Sequence, residues 1–290
     1  ENTILPYDKA GSLYSKVAVV FSSESGVNSS DAIMAISREL SPIQSAHFSE
    51  ISLNDALFQR IKAVYDKRES LGLDKDQMRL VEEIYKGFER SGANLPADKK
   101  AELKEVNAEI SALQLAFGQN LLKETNAYEL RLSEEQLQGL PESAIATYAQ
   151  TAKEKGKEGY IVTLQIPSFS PFMKYSTNRE LRKELYTAYH TQCTHDNEFN
   201  NQDLVKTLVN LRMKRAQLLG YTCVADFVLT RRMAENSERV YHLINQLLNA
   251  YAPTAKKEMF ELQALAKELE GENFELMPWD LAYYAEKLKE

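Results

Sequence analysis

His190, Cys193 and His195 lie close enough in sequence to suggest a metal, because imidazole and thiolate are side chains that zinc prefers. Two histidines five residues apart on one continuous helix point about 140° away from each other. Joint coordination therefore requires the helix to end between them, and Asn197, Asn200 and Asn201 offer residues for such an end. Zinc in a closed site takes about four ligands and this segment supplies three, so a structural or surface role is expected and no metal ligand is assigned. The other histidines are His47 and His242, and the residues following the four are Phe48, Thr191, Asp196 and Leu243. The chain thus has no His-Glu-x-x-His helix, the spacing that puts two imidazoles and a general base on one helix face.

Phosphate chemistry is equally thin. The single Gly-Lys pair, Gly156-Lys157, has Thr151 where a P-loop requires glycine, and no Gly-x-Gly occurs. Gly156-Lys157-Glu158-Gly159 matches the Gly-x-x-Gly that clamps backbone nucleotides in KH modules, but it falls between a helical and an extended segment, where turn chemistry suffices. No Gly-x-Ser-x-Gly elbow is present, and among 42 carboxylates no pair stands out as an acid and base couple. Arg212, Lys214 and Arg215 form a basic patch, read as a solvated helix face. The aromatic segment Ser168-Phe169-Ser170-Pro171-Phe172-Met173-Lys174-Tyr175 could line a peptide groove but is expected to fill core. Catalytic residues are therefore none, metal ligands none, and substrate contacts unassigned.

The elements that would position such groups are mostly helical. Val240, Leu243, Ile244, Leu247, Leu248 and Tyr251 follow helical spacing along one face. Leu103, Val106, Ile110, Leu113 and Phe117 do the same behind Pro96 and Asp98, predicting a long helix over 96–126. Further helices are expected over 30–49, 53–71, 75–91, 142–155, 178–191, 201–219 and 278–289. Alternation at Tyr160, Val162, Leu164 and Ile166, ended by Pro167, predicts a strand, with Tyr128, Leu130 and Leu132 as its partner. The fold class is mainly α with a small sheet from 128–132 and 160–166.

With 290 residues, 43% apolar and 27% charged, the chain has the composition of an ordinary globular protein. Its net charge of -7 argues against a general nucleic-acid binder. The longest apolar run, Val17 to Phe21, is far short of the roughly 20 residues that span a bilayer, so no membrane partner is expected. Two cysteines, Cys193 and Cys223, indicate no disulfide framework. Repeats and linker composition are absent, so 1–290 reads as one helical domain. Glu1 is no start residue and the helix-like segment ending at Glu290 has no stop after it, so truncation at both ends is expected.

Several stretches in order resemble one family: Glu1-Asn2-Thr3-Ile4, Arg90-Ser91-Gly92-Ala93, Phe117-Gly118-Gln119-Asn120, Gly139-Leu140-Pro141, Leu164 to Met173, Asn178-Arg179-Glu180-Leu181-Arg182, Leu218-Leu219-Gly220-Tyr221, Met233-Ala234-Glu235-Asn236 and Pro278 to Tyr284. Together they resemble the zinc oligopeptidases of the thimet oligopeptidase, oligopeptidase A and peptidyl-dipeptidase family, most closely the peptidyl-dipeptidase branch. The resemblance implies the N-terminal helical part of a neurolysin-like fold. It also implies a parent enzyme that releases C-terminal dipeptides from short peptides, with this chain forming one wall of the substrate channel. The family's zinc, held by two His of His-Glu-x-x-His and a later Glu, would lie C-terminal to 290, so no catalytic residue carries over and this part alone is expected to be inactive and zinc-free. Expected partners are short peptides, the missing catalytic half, and further copies of the chain through exposed apolar surface. The cytoplasm is the expected location, with the periplasm as alternative. A free-standing helical binding module is the competing reading.

Overall fold

Helix starts in this chain are written by side chains that accept from exposed first-turn amides. Asn54 accepts from Leu57 N at 2.8 Å, Asn178 from Leu181 N at 3.1 Å, and Asn236 from Arg239 N at 2.9 Å. Asp74 and Gln77 close a reciprocal capping box. The computed structural model describes residues 2–289; Glu1, which opens the Glu1-Asn2-Thr3-Ile4 stretch, and Glu290 lie outside them.

In chain order the described helices are α1 (Ile4–Lys9), α2 (Ser12–Val27), α3 (Asp31–Ser52), α4 (Asp55–Asp66), α5 (Lys75–Arg90), α6 (Ala97–Ala127) and α7 (Glu142–Glu154). They continue with α8 (Ile166–Tyr175), α9 (Arg179–His190), α10 (Gln202–Leu218), α11 (Val224–Leu229), α12 (Ser237–Glu270) and α13 (Leu281–Lys287). Two strands, β1 (Leu130–Leu132) and β2 (Tyr160–Val162), pair antiparallel with Leu130 opposite Val162 and Leu132 opposite Tyr160. The mainly helical class with one small sheet therefore stands.

The sheet is shorter than the alternation predicts. Pairing stops at Val162, and Ile166 opens α8 instead of ending a strand. Pro167 is the reason: its fixed φ and missing N–H suit a first helical turn, and the Ser168 hydroxyl accepts from Thr163 N at 2.9 Å, fixing the entry. Helices α1, α2, α8 and α11 have no counterpart in the sequence prediction, and α12 continues from the predicted face to Glu270.

The chain divides into two compact units: the described part of Glu1–Gln119 with Asp203–Glu235, and Asn120–Gln202 with the described part of Asn236–Glu290. In the first, Phe58, Ile61, Val81 and Phe88 from α4 and α5 share a core, and Val106, Ile110 and Leu208 join α6 to α10. In the second, Tyr148, Phe172 and Leu185 are fully enclosed with the sheet residues Leu130 and Val162. Enclosing each of these large side chains contributes roughly 1.5–3 kcal/mol before entropy is counted.

Candidate functional site

Helix α9 and the turn that follows it carry the residues singled out for chemistry. The helix ends at His190, and Cys193 adopts a positive φ of 57° that turns the chain. The three candidate ligands do not converge. His190 Nδ1 donates to the Tyr186 carbonyl at 2.9 Å and its ring stacks on Tyr186 at 3.8 Å between centroids. His195 Nε2 lies 3.2 Å from the Thr191 hydroxyl and 4.0 Å from a Glu124 carboxylate oxygen. The Cys193 thiol is buried, and burial first, then its hydrogen bond to Glu124, pushes it up to about 12, so it is held as the protonated thiol.

Glu124 near the end of α6 holds this turn in place. It accepts from the Cys193 backbone N–H, while Gln192 donates to Thr125 at 2.6 Å and Asn120 to Asn201 at 2.9 Å. Among the described residues no group of three or more His, Cys, Asp or Glu side chains is placed to hold a metal ion. The side chains present therefore do not fit a zinc centre.

The same elements border a groove of about 600 Å³ in the second unit. It is lined by Glu180, Lys183, Glu184 and Thr187 of α9 and by Thr191 at its C-terminal cap, and also by Glu124 and Tyr128. The Tyr128 hydroxyl is buried without a partner. Burial, helped by the charge of Glu184, pushes this phenol up to about 12, so it stays protonated and able to donate. Three carboxylates against one lysine make the groove receptive to cationic groups.

The remaining candidates separate cleanly. Gly156, with φ of +66°, closes α7 in a Schellman turn, Lys157 N donating to Ala152 O at 2.9 Å and Gly156 N to Lys153 O at 3.0 Å. Lys157 pairs with Glu129, so the Gly-x-x-Gly is a turn bound to its own unit. Phe172 is enclosed against Tyr148, and Phe169 stacks on Tyr189 at 4.4 Å, so the aromatic segment fills core as the sequence suggests. Of the basic patch, Lys214 pairs with Glu102 at 2.9 Å, whereas Arg215 turns into a cleft of the first unit. His47 and His242 are exposed, and the Cys223 sulfur caps α11 by accepting from Asp226 N at 3.5 Å.

One cluster escapes the sequence reading. Asp280 is fully buried and binds both arginines of the Asn178-Arg179-Glu180-Leu181-Arg182 stretch. Arg179 Nη2 donates to it at 2.7 Å and Arg182 Nη2 at 2.8 Å, and Met277 N adds a bond of 3.0 Å. Burial alone would push this carboxyl up, but the hydrogen bonds from Arg179, Arg182 and Met277 outweigh it and hold it below the usual carboxylate range. Arg179 and Asp280 are 101 residues apart, and no local signal in the sequence joins them.

Residues 172–290 match the family profile described as Peptidase family M3. The whole chain is similar to oligopeptidase A of Salmonella typhimurium, 31% identical over 295 residues that cover 100% of this chain and 43% of that protein. Dipeptidyl carboxypeptidase of Escherichia coli is 31% identical over 290 residues, covering 99% of this chain and 42% of the relative. Oligopeptidase A of Escherichia coli is 31% identical over 100% of this chain and 43% of its own length. The chain thus spans less than half the length of the curated relatives it matches, and part of it is similar to the family M3 peptidases.

Proposed function

From this similarity to family M3 peptidases we propose that the chain is the N-terminal, non-catalytic part of a zinc peptidase. The parent removes dipeptides from the C-termini of short peptides in the cytoplasm, and this part forms one wall of the channel that receives them. The observation that carries the reading is the extent of the match: at 31% identity the chain is used from end to end, yet it accounts for 43% of oligopeptidase A. We assign the zinc ligands to the length of such a protein that this chain does not cover.

Helix α12 supports it independently. Of its face at Val240, Leu243, Ile244, Leu247, Leu248 and Tyr251, Val240 is half-buried and the other five are between 45% and 66% exposed, though the spacing is that of a buried stripe. A stripe of this kind needs a covering surface, and we assign the cover to the rest of the parent protein. The carboxylate-lined groove along α9 gives the wall a surface able to receive cationic groups of a peptide. The isolated chain is expected to associate with itself through the α12 stripe; a strictly monomeric mass by light scattering at high concentration counts against that part.

The test is to read the gene beyond Glu290 and assay its full product and the 290-residue chain on a peptide with a free C-terminus. Dipeptide release by the full product, abolished by a chelator, and none by the chain is the expected outcome. A reading frame that closes shortly after Glu290 replaces this reading with a free-standing binding module.

A further inference from the structure

Arg90 closes α5 and Arg215 lies in the last turn of α10, yet both border one cleft of about 1140 Å³ within the first unit. Neither has a carboxylate partner among the described residues. Arg90 Nη1 donates to the Phe227 carbonyl at 2.6 Å and to the Thr230 hydroxyl. The Phe227 ring serves both guanidinium groups, with its centroid 3.8 Å from the Arg90 guanidinium carbon and 5.8 Å from that of Arg215. Arg215 forms no ion pair among the described residues, and its Nε is buried without a hydrogen-bond partner.

The field around the two groups is positive. Burial lowers the Arg215 pKa, and Arg212 and Arg90 lower it further. Burial likewise lowers that of Arg90, opposed by Tyr221 and reinforced by Arg231 and Arg232. Along α6, Asn107, Ser111 and Gln114 share one helix face on the same cleft. Among the described residues the only acidic one on the wall is Asp8, which is exposed and pairs with neither arginine. A guanidinium withdrawn from water carries a standing desolvation cost unless an anion answers it. Lys214, one residue from Arg215, already has its anion in Glu102, which shows that the chain pairs its cations here where it can.

We propose that this cleft binds a multivalent oxyanion of the phosphate class, gripped by the guanidinium forks of Arg90 and Arg215 with the amides of Asn107 and Gln114 at its edge. Two forks answer two or more negative charges, and planar paired N–H donors fit phosphate oxygens in a way an ammonium does not. Free phosphate and a phosphate monoester present the same group; Tyr14 and Phe48, in edge contact at 5.9 Å on the wall, give the body of a monoester a surface to lie against. The proposal is independent of the peptidase reading.

Calorimetric titration of the 290-residue chain at low salt with inorganic phosphate is expected to show one saturable site. A parallel titration with phenyl phosphate separates the sources: tighter binding assigns the cleft to a monoester, equal or weaker binding to the free ion. Arg215→Met and Arg90→Met should each weaken phosphate binding roughly tenfold or more. Arg215→Lys should weaken it less, because the charge remains and the fork is lost. Lys214→Met should leave it unchanged. Circular dichroism of each variant controls for folding, and the parent chain and Arg215→Lys keep the test decisive if a methionine variant does not fold. No saturable binding by the parent chain, or an equal loss in Lys214→Met and Arg215→Met, overturns the proposal.

Discussion

Two pairs of arginines, one in each unit, meet opposite fates. In the second unit Arg179 and Arg182 converge on the buried carboxylate of Asp280. In the first unit Arg90 and Arg215 converge on Phe227 and on no carboxylate. The guanidinium chemistry is the same, so the difference lies in what the fold supplies opposite it. A buried charge with its counter-charge and the hydrogen bonds to it in place is a structural joint, here tying α9 to the segment before α13 even though the Nε of Arg182, like that of Arg215, has no partner. A shielded charge without them is an unbalanced site, and balance has to come from outside the unit.

Turning the first kind into the second should have the largest effect. Asp280→Ala leaves Arg182, only 2% exposed, without its anion, and should cost about 3–5 kcal/mol in urea unfolding. Asp280→Asn tests the charge alone. Because the folded carboxyl lies below its unfolded value, its contribution is complete above about pH 4 and is lost as pH falls through the folded pKa. Parent stability should therefore drop on acidification below that point more steeply than that of Asp280→Asn; parallel profiles would contradict the joint.

Arg90 is an intermediate case, since it has backbone and hydroxyl acceptors but no anion. Arg90→Met should cost roughly 1.5 kcal/mol in the same measurement. Arg215→Met should be the smallest change, within about 0.5 kcal/mol of the parent or slightly stabilising, because a desolvated charge is removed and no bond is lost. A loss as large as that of Asp280→Ala would mean Arg215 is a joint after all, and the contrast between the units would disappear.

Much of the scaffold is legible in the sequence where local signals agree. Asp74 and Asn178 mark helix starts, and the spacing of Leu103, Val106 and Ile110 marks the buried side of α6. Helix α2 is not legible: Gly11 at its start supplies no capping side chain, and Leu13, Val17 and Val20 are exposed rather than striped toward a core. Helix α8 is hidden by Pro167 and Pro171, which read as breakers although a proline in the first turn is compatible with a helix. The α12 stripe teaches a different lesson. Periodicity reports that a face wants a cover and is silent on whether the cover is in the same chain.

Of the candidate sites, the sequence weakens the His190, Cys193 and His195 set on angular spacing, a local property, and the structure gives His190 and His195 separate partners. It reads Arg215 as solvated, since which of three adjacent cations finds a carboxylate depends on Glu102, distant in sequence. Asp280 is invisible for the same reason: a buried acid is recognised by its partners, and both come from α9.

The most direct test of the functional reading is the zinc content of the two proteins after equilibration with the metal and gel filtration. The account predicts one zinc per molecule of the full product of the gene and less than stoichiometric zinc in the 290-residue chain. One tightly held zinc in the 290-residue chain would contradict it, because the metal chemistry would then reside in the part assigned here to the channel wall.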